Sequence, residues 1–256
     1  MDHLAAYRMT DRDLADGCAY DAPCFLAESE LLLSAAAQTG TPIMSMLSTD
    51  EFPFPDLPCD QRLVVSQDEF REITGYPQTR SVIGICKRPS SPPLEKLASK
   101  AKRLLVIEDS SNGANMATMF RIAYAFGIDG ILVTHSCADP LFRRAARMSK
   151  GDVLRVPWLR VGSTRAWAHE VMPQLKACGF VTAALALTDD SISLEDLPAP
   201  EKLAIIMGTE GEGLQDETIA LSDLVVKIPM RAGIDSLNVA AASAVAIWQA
   251  TRSTLK

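Results

Sequence analysis

A chain of 256 residues is long enough to bury a sizeable core, as one large domain or two modest ones, and 48% hydrophobic and 22% charged content without a low-complexity tract excludes a disordered or fibrous protein. No apolar run approaches the roughly 18 to 20 residues that span a bilayer, and the start, MDHLAAYRMTDRDL, is too acidic and polar for a secretory signal, so a cytoplasmic location away from membranes is expected. The net charge of −7 argues at first sight against a nucleic-acid partner, yet it is unevenly spread: residues 1–96 hold 8 Lys/Arg against 15 Asp/Glu, while residues 97–256 hold 17 of each.

Along the first part, LLLSAAAQ and PIMSML, then RLVVS, the helix-like DEFREIT and SVIGICK, read as a small α/β unit over 1–90. Pro and Ser concentrate in RPSSPPLEK (88–96), the composition of a linker or stiff turn, which places a boundary there and a second domain over 97–256. Short β-type runs then alternate with longer helical patterns: LLVIE (104–108), GILVT (130–134), VLRV (153–156), FVTAALAL (180–187), LAIIM (203–207) and LVVKI (224–228). Such repeats imply a parallel sheet covered by helices on both faces, with ligands at the carboxyl ends of its strands.

The cysteines, Cys18, Cys24, Cys59, Cys86, Cys137 and Cys178, lack C-x-x-C or Cys/His zinc spacing, so neither a metal site nor a disulfide framework is expected. Arg143, Arg144, Arg147, Lys150, Arg155, Arg160 and Arg165 share a stretch whose only acid is Asp152. Taken alone such a run is a solvated helix face; beside an RNA-related site it becomes the candidate grip on a phosphate backbone.

Three strand-end loops carry unusual residues. After LLVIE, Asn115 and Arg121 stand six apart on a helix that Asn115 is expected to open, within about 120° of each other around its axis, so that both could reach the same strand-end cleft. Taken alone, Asn115 is a cap and Arg121 a surface ion-pair partner, although five guanidinium donors in a face of small and apolar residues need acceptors. After LAIIM, GTEGEGL (208–214) is a Gly-rich turn that is neither a P-loop nor G-x-G-x-x-G; Glu210 and Glu212 would repel phosphates and suit a ligand with hydroxyl or cationic groups. After LVVKI, Ser236 and Asn238 precede a long small-residue helix, where both also fit ordinary capping.

In this order the three loops closely resemble the SpoU/TrmH-type branch of the SPOUT methyltransferases, which methylate RNA ribose 2′-hydroxyls. The family's N-x-G-x-x-x-R stands here as Asn115 to Arg121, its M-G-x-E-G-x-G as Met207 to Gly213, and its I-P-M with S-L-N-V as Ile228-Pro229-Met230 and Ser236-Leu237-Asn238-Val239. Arg147-Met148-Ser149-Lys150-Gly151 is similar to its R-x-S-x-G before a strand. Two departures stand out: the usual Asp-Pro before the first-motif Asn is Asn112-Gly113, expected to alter that loop, and the Gly two residues after the Asn is Ala117.

The resemblance implies an α/β fold in which a C-terminal SPOUT-type parallel sheet is threaded into a trefoil knot. A small α/β domain similar to RNA-binding ribosomal proteins would precede it, to bind the RNA substrate, although the acidity of residues 1–90 also suits a protein-binding adaptor. It implies S-adenosylmethionine held in a bent form around positions matching Gly208, Ile228 and Leu237, with Thr188 and Met230 as further candidates. It implies tRNA or rRNA as substrate, no metal, and a homodimer through the knotted domain. The helix 237–251 with Trp248 is apolar enough to contribute to that dimer and equally suits a core helix. Arg121 matches the residue proposed to activate the hydroxyl or fix the adjacent phosphate; with a pKa above about 12 a guanidinium is a poor base, so the phosphate clamp is physically easier. Asn115, Glu210, Ser236 and Asn238 match the remaining polar positions. An RNA base methyltransferase of the same fold, a non-catalytic RNA-binding or assembly protein, and a nucleotide-binding α/β enzyme are the competing readings. Asn115, Arg121 and Ser236-Leu237-Asn238 together favour ribose over base, and the Asn112-Gly113 departure alone speaks for lost turnover.

Overall fold

Two sheets organise the computed structural model, which describes residues 4–52, 54–75, 82–234 and 236–253. Ser81, the first residue of the expected SVIGICK strand, and Asp235 lie outside the described residues. The chain separates into two units, Met1–Ser90 with Asp139–Arg155, and Ser91–Ala138 with Val156–Lys256.

The first unit carries strands β1 (Cys24–Ala27), β2 (Ile43–Thr49), β3 (Gln61–Val65) and β4 (Val82–Lys87) in the order β1-β4-β2-β3; β4 runs antiparallel to both neighbours, and β2 and β3 are parallel. Helix Gln67–Thr74 starts with a reciprocal capping box between Ser66 and Glu69 and stops at Gly75, whose φ of 76° only glycine takes without strain. Tyr7, Leu14, Leu26, Leu47, Phe70 and Ile83 are fully buried in the core, each aliphatic or Phe side chain contributing about 1.5–3 kcal/mol by leaving water.

Residues 139–155 are joined to this unit by charge. Asp139 accepts from Arg88 at 2.7 Å, Arg143 pairs with Asp11 at 3.3 Å and donates to the Met9 carbonyl, Arg147 pairs with Glu28 at 3.0 Å, and Arg155 donates to Gln38 and Asp152 at 3.0 Å. Arg160, in the second unit, donates to the carbonyls of Thr134, His135 and Cys137. The basic run is therefore not one solvated patch. Arg143, Arg147, Arg155 and Arg160 spend their donors inside the protein, leaving Arg144, Lys150 and Arg165 exposed.

The second unit holds β5 (Arg103–Ile107), β6 (Gly130–Val133), β7 (Trp158–Arg160), β8 (Phe180–Leu185), β9 (Ile192–Ser193), β10 (Lys202–Met207) and β11 (Leu224–Lys227). Their order is β7-β6-β5-β10-β8-β11-β9 and every pairing is parallel. The continuous apolar runs of β5, β6 and β10 suit strands buried on both faces. β10 inserts between β5 and β8, so the strand order reverses there, the place where open α/β sheets leave a crevice.

One expected strand is corrected. VLRV (153–156) is not extended: Asp152–Arg155 is a helical turn, and the strand begins beyond Pro157 at Trp158. Val153 and Val156 are buried three residues apart, on one side of a turn, and Asp152 and Arg155 pair at the same spacing. Four residues with a β-branched pattern cannot distinguish strand from turn. The C-terminal helix Val239–Thr251 packs on helix Gly113–Ala125 and β10, and its last turn is held where Arg103 Nε donates to the Ala250 carbonyl at 3.2 Å. Among the described residues no helix is long and apolar enough to cross a membrane, and no His/Cys/Asp/Glu group could hold a metal ion.

Candidate functional site

The carboxyl ends of β8, β10 and β11 open on one cavity of about 690 Å³. Each strand delivers a loop: 185–188 after β8, 207–214 after β10, and 226–230 after β11, closed by Ser236 to Val239 at the start of the C-terminal helix. Thr188, Gly208, Glu210, Ile228, Met230, Ser236, Leu237 and Asn238, eight residues singled out in the sequence, all line it.

The β10 loop is a closed turn. Thr209 and Gly213 bond to each other through both backbone pairs, at 3.1 and 3.3 Å, while Gly211 and Gly213 take φ of 93° and 76°. Gly208 is buried beneath the turn, and a Cβ there would overlap the Gly213 backbone. The absence of a side chain lets two backbone segments meet and leaves the cavity wall there made of peptide.

Asn238 joins the motifs. Its Oδ1 accepts from the N–H groups of Ala240 and Ala241, capping the C-terminal helix, while Nδ2 donates to Asn115 Oδ1 at 3.1 Å and to Glu210 Oε1. One amide thus satisfies a helix start and fixes two polar side chains from loops far apart in sequence. Asn115 is buried just behind the cavity wall.

Two expectations about the first loop change. Helix Gly113–Ala125 is opened by Asn112, whose Oδ1 accepts from Ala114 N–H at 2.9 Å and Asn115 N–H at 3.4 Å; Asn115 is in its first turn. Asn112 therefore supplies a cap acceptor where the family usually has Asp, and Gly113 takes the first helical position in place of Pro. Asn115 is left free of capping duty, with its side chain available to Asn238. Arg121, further along the helix, is half-buried and does not line the cavity.

Other polar residues at these strand ends were not singled out by sequence reading. Glu108 is buried, its carboxylate accepting from Gln215 N–H at 2.8 Å and the Thr218 hydroxyl at 2.5 Å. Burial pushes its pKa up more than those two donors bring it down, and the negative Asp109 adds to the rise. Asp109, at φ 54°, receives hydroxyls from Thr134, Ser136 and Thr164 beside a second polar recess that also holds His135, Arg165 and Glu217. The signal for both was a pair of acids directly after an apolar strand run.

A model of the SpoU rRNA Methylase family matches residues 102–248. An uncharacterized tRNA/rRNA methyltransferase of Mycobacterium bovis is 35% identical over 191 residues, 73% of this chain and 65% of the relative, so the chain spans less than two thirds of that relative's length. The 23S rRNA (guanosine(2553)-2′-O)-methyltransferase RlmP of Bacillus subtilis is 28% identical over 226 residues, 88% of this chain and 87% of the relative. Among solved structures, an AdoMet-bound rRNA methyltransferase from Sinorhizobium meliloti aligns with a TM-score of 0.82 at 22% identity, over 99% of this chain and 94% of that one. The SpoU methyltransferase AviRb from Streptomyces viridochromogenes, in complex with AdoMet, aligns at 0.81 and 20% identity, over 98% and 96%. At those identities the structures speak for the fold, while the matched family model and the mycobacterial relative settle descent: the chain belongs to the SpoU rRNA methylase family.

Proposed function

We propose that this protein transfers a methyl group from S-adenosylmethionine to a ribose 2′-hydroxyl of tRNA or rRNA. The observation that carries the reading is the convergence of the loops 185–188, 207–214 and 226–230, with Ser236 to Val239, on one cavity lined by Glu210 and Asn238, which Asn115 meets from behind the wall. The lining fits the cofactor: Leu185, Leu214 and Val226 give it apolar surface, Gly208 leaves peptide groups bare, and Glu210, Glu212 and Asp216 favour a cation with hydroxyls over a phosphate. When bound, S-adenosylmethionine supplies an electrophilic methyl on a sulfonium sulfur.

The chain's own task is to bring a weakly acidic hydroxyl into line with that methyl and to accept its hydrogen bond. Glu210, with acceptor positions beyond the one Asn238 fills, is suited to receive the hydroxyl, and Ser236 to orient it. Arg121 is assigned to the phosphate next to the target ribose, where a guanidinium fork binds two oxygens. Thr188, Gly208, Ile228, Met230 and Leu237 are assigned to the cofactor. The relative named as a 23S rRNA 2′-O-methyltransferase supports the substrate class.

Residues 97–256 are read as the methyltransferase domain, and residues 1–90, to which 139–155 pack, as a small α/β domain similar to ribosomal proteins that selects the RNA. The insertion of β10 between β5 and β8, with residues 226–228, 230 and 236–239 walling the same cavity as the 208–214 turn, supports a trefoil knot. Val245 and Trp248, 42% and 47% exposed on the C-terminal helix, support a homodimer through this domain. Six free cysteines support a reducing, cytoplasmic setting.

The test is transfer of tritium from labelled S-adenosylmethionine to total RNA from a strain lacking the gene, with nucleoside mass spectrometry. A labelled 2′-O-methyl nucleoside that disappears with Arg121→Ala is expected. A labelled base, or cofactor binding without any transfer to RNA, overturns the reading.

A further inference from the structure

We infer that Glu108 is a positioning residue that holds both ends of the 208–214 turn, and so sets the wall of the cofactor cavity from behind; this rests on the cofactor reading above. The backbone N–H of Glu108 donates to the carbonyl of Met207, the residue before the turn, at 2.8 Å. Its carboxylate accepts at 2.8 Å from the N–H of Gln215, the second residue after Gly213. The other carboxylate oxygen takes the hydroxyl of Thr218, itself fully buried one turn into helix Asp216–Leu221. The entry and exit of the loop are thus tied to one residue at the end of β5, and the Thr209–Gly213 backbone pair closes the loop between them.

A carboxyl in this place is costly, because burial disfavours its charge and Asp109, another acid, adds to the penalty. A leucine would fill the space without that cost. What it would not do is accept two donors at once: without the carboxyl the hydroxyl of the fully buried Thr218 would lose its acceptor, and the Gln215 N–H, the exit anchor of the turn, would lose its own. Glu108 does not line the cavity and is bonded to the backbone on either side of this loop, so its effect on the site is through geometry.

The experiment compares wild type, Glu108→Ala, Glu108→Gln and Thr218→Val by calorimetric titration with S-adenosylmethionine and by amide hydrogen exchange of the ligand-free protein. Glu108→Ala is expected to weaken cofactor binding on the order of tenfold, from two lost hydrogen bonds, and to speed exchange across 208–215 while 104–107 and 130–133 stay protected. Glu108→Gln, which keeps an acceptor for Gln215, should restore most of the affinity, and Thr218→Val should show a smaller loss in the same direction. Unchanged affinity in Glu108→Ala, or faster exchange spread over the whole sheet, overturns the assignment. If Glu108→Ala does not fold, Thr218→Val decides by the same two readouts. Failure of the wild type to bind S-adenosylmethionine sinks the cofactor reading instead, and local exchange still tests the clamp.

Discussion

Asn238 and Asn115 are 123 residues apart in sequence, and the amide of the first donates to the side-chain oxygen of the second at 3.1 Å. That bond links the start of the C-terminal helix to the first turn of helix Gly113–Ala125, and the same amide reaches Glu210. Three motifs become one site through one side chain.

Asn238→Ala removes the cap and both side-chain bonds together. The lost cap should lower stability by about 1 kcal/mol, while methyl transfer should fall much further, on the order of a hundredfold, because Glu210 and Asn115 lose their shared partner. Denaturant unfolding beside single-turnover rates separates the two. An activity loss no larger than the stability loss explains would refute the bridging role.

Gly208→Ala puts a methyl group against the Gly213 backbone, which cannot give way as a flexible side chain would. The turn must shift, at about 1–3 kcal/mol, and cofactor affinity should drop more than tenfold. Gly211→Ala, at φ 93° but in open space, should cost about 1 kcal/mol of backbone strain with a smaller effect on binding. Equal calorimetric affinities for the two variants would contradict this.

Arg121 lies outside the cavity lining. Arg121→Ala should therefore leave the S-adenosylmethionine Kd within about twofold of wild type while raising the KM for RNA and lowering turnover on the order of a hundredfold. Arg121→Lys, keeping charge without the planar fork, should recover only part of this. A large change in cofactor Kd would move Arg121 from the substrate to the cofactor.

Three carboxyls displaced from their ordinary range give this fold two opposed pH signatures. Burial pushes Asp109 and Asp223 up, but the hydroxyls of Ser136, Thr164 and Thr134 on the first, and Lys176 with Thr182 on the second, outweigh it and hold both below the usual range. Their contribution is present above the ordinary Asp range, about 3.9, and is lost as pH falls through the lower folded values. Glu108 is raised, so its contribution is complete below the ordinary Glu range, about 4.3, and is lost as pH climbs through the folded value. The Tm of Glu108→Gln relative to wild type should accordingly rise as pH climbs above the ordinary Glu range. A difference independent of pH would show that the Glu108 carboxyl does not titrate there.

The sequence by itself determined the strands of the second sheet wherever an apolar run ended in a turn signal, as at LLVIE, LAIIM and LVVKI, because parallel strands buried on both faces read as continuous hydrophobic runs. Its strand-end loops singled out Gly208, Glu210, Ser236 and Asn238, whereas Thr188, Ile228, Met230 and Leu237 came from the resemblance to the SpoU/TrmH-type motifs. It misplaced the strand at 153–156, where a four-residue pattern is shared by strand and turn. Only the tertiary structure decided that four arginines of the basic run serve internal acceptors, that Asn112 caps the helix and frees Asn115, and that Glu108 reaches Gln215 and Thr218. The physical reason is common to all three. Spacing along the chain says which way a side chain faces within its own element, whereas the partner of a buried charge or amide is supplied by another element, and that is known only once the sheet has brought the two together.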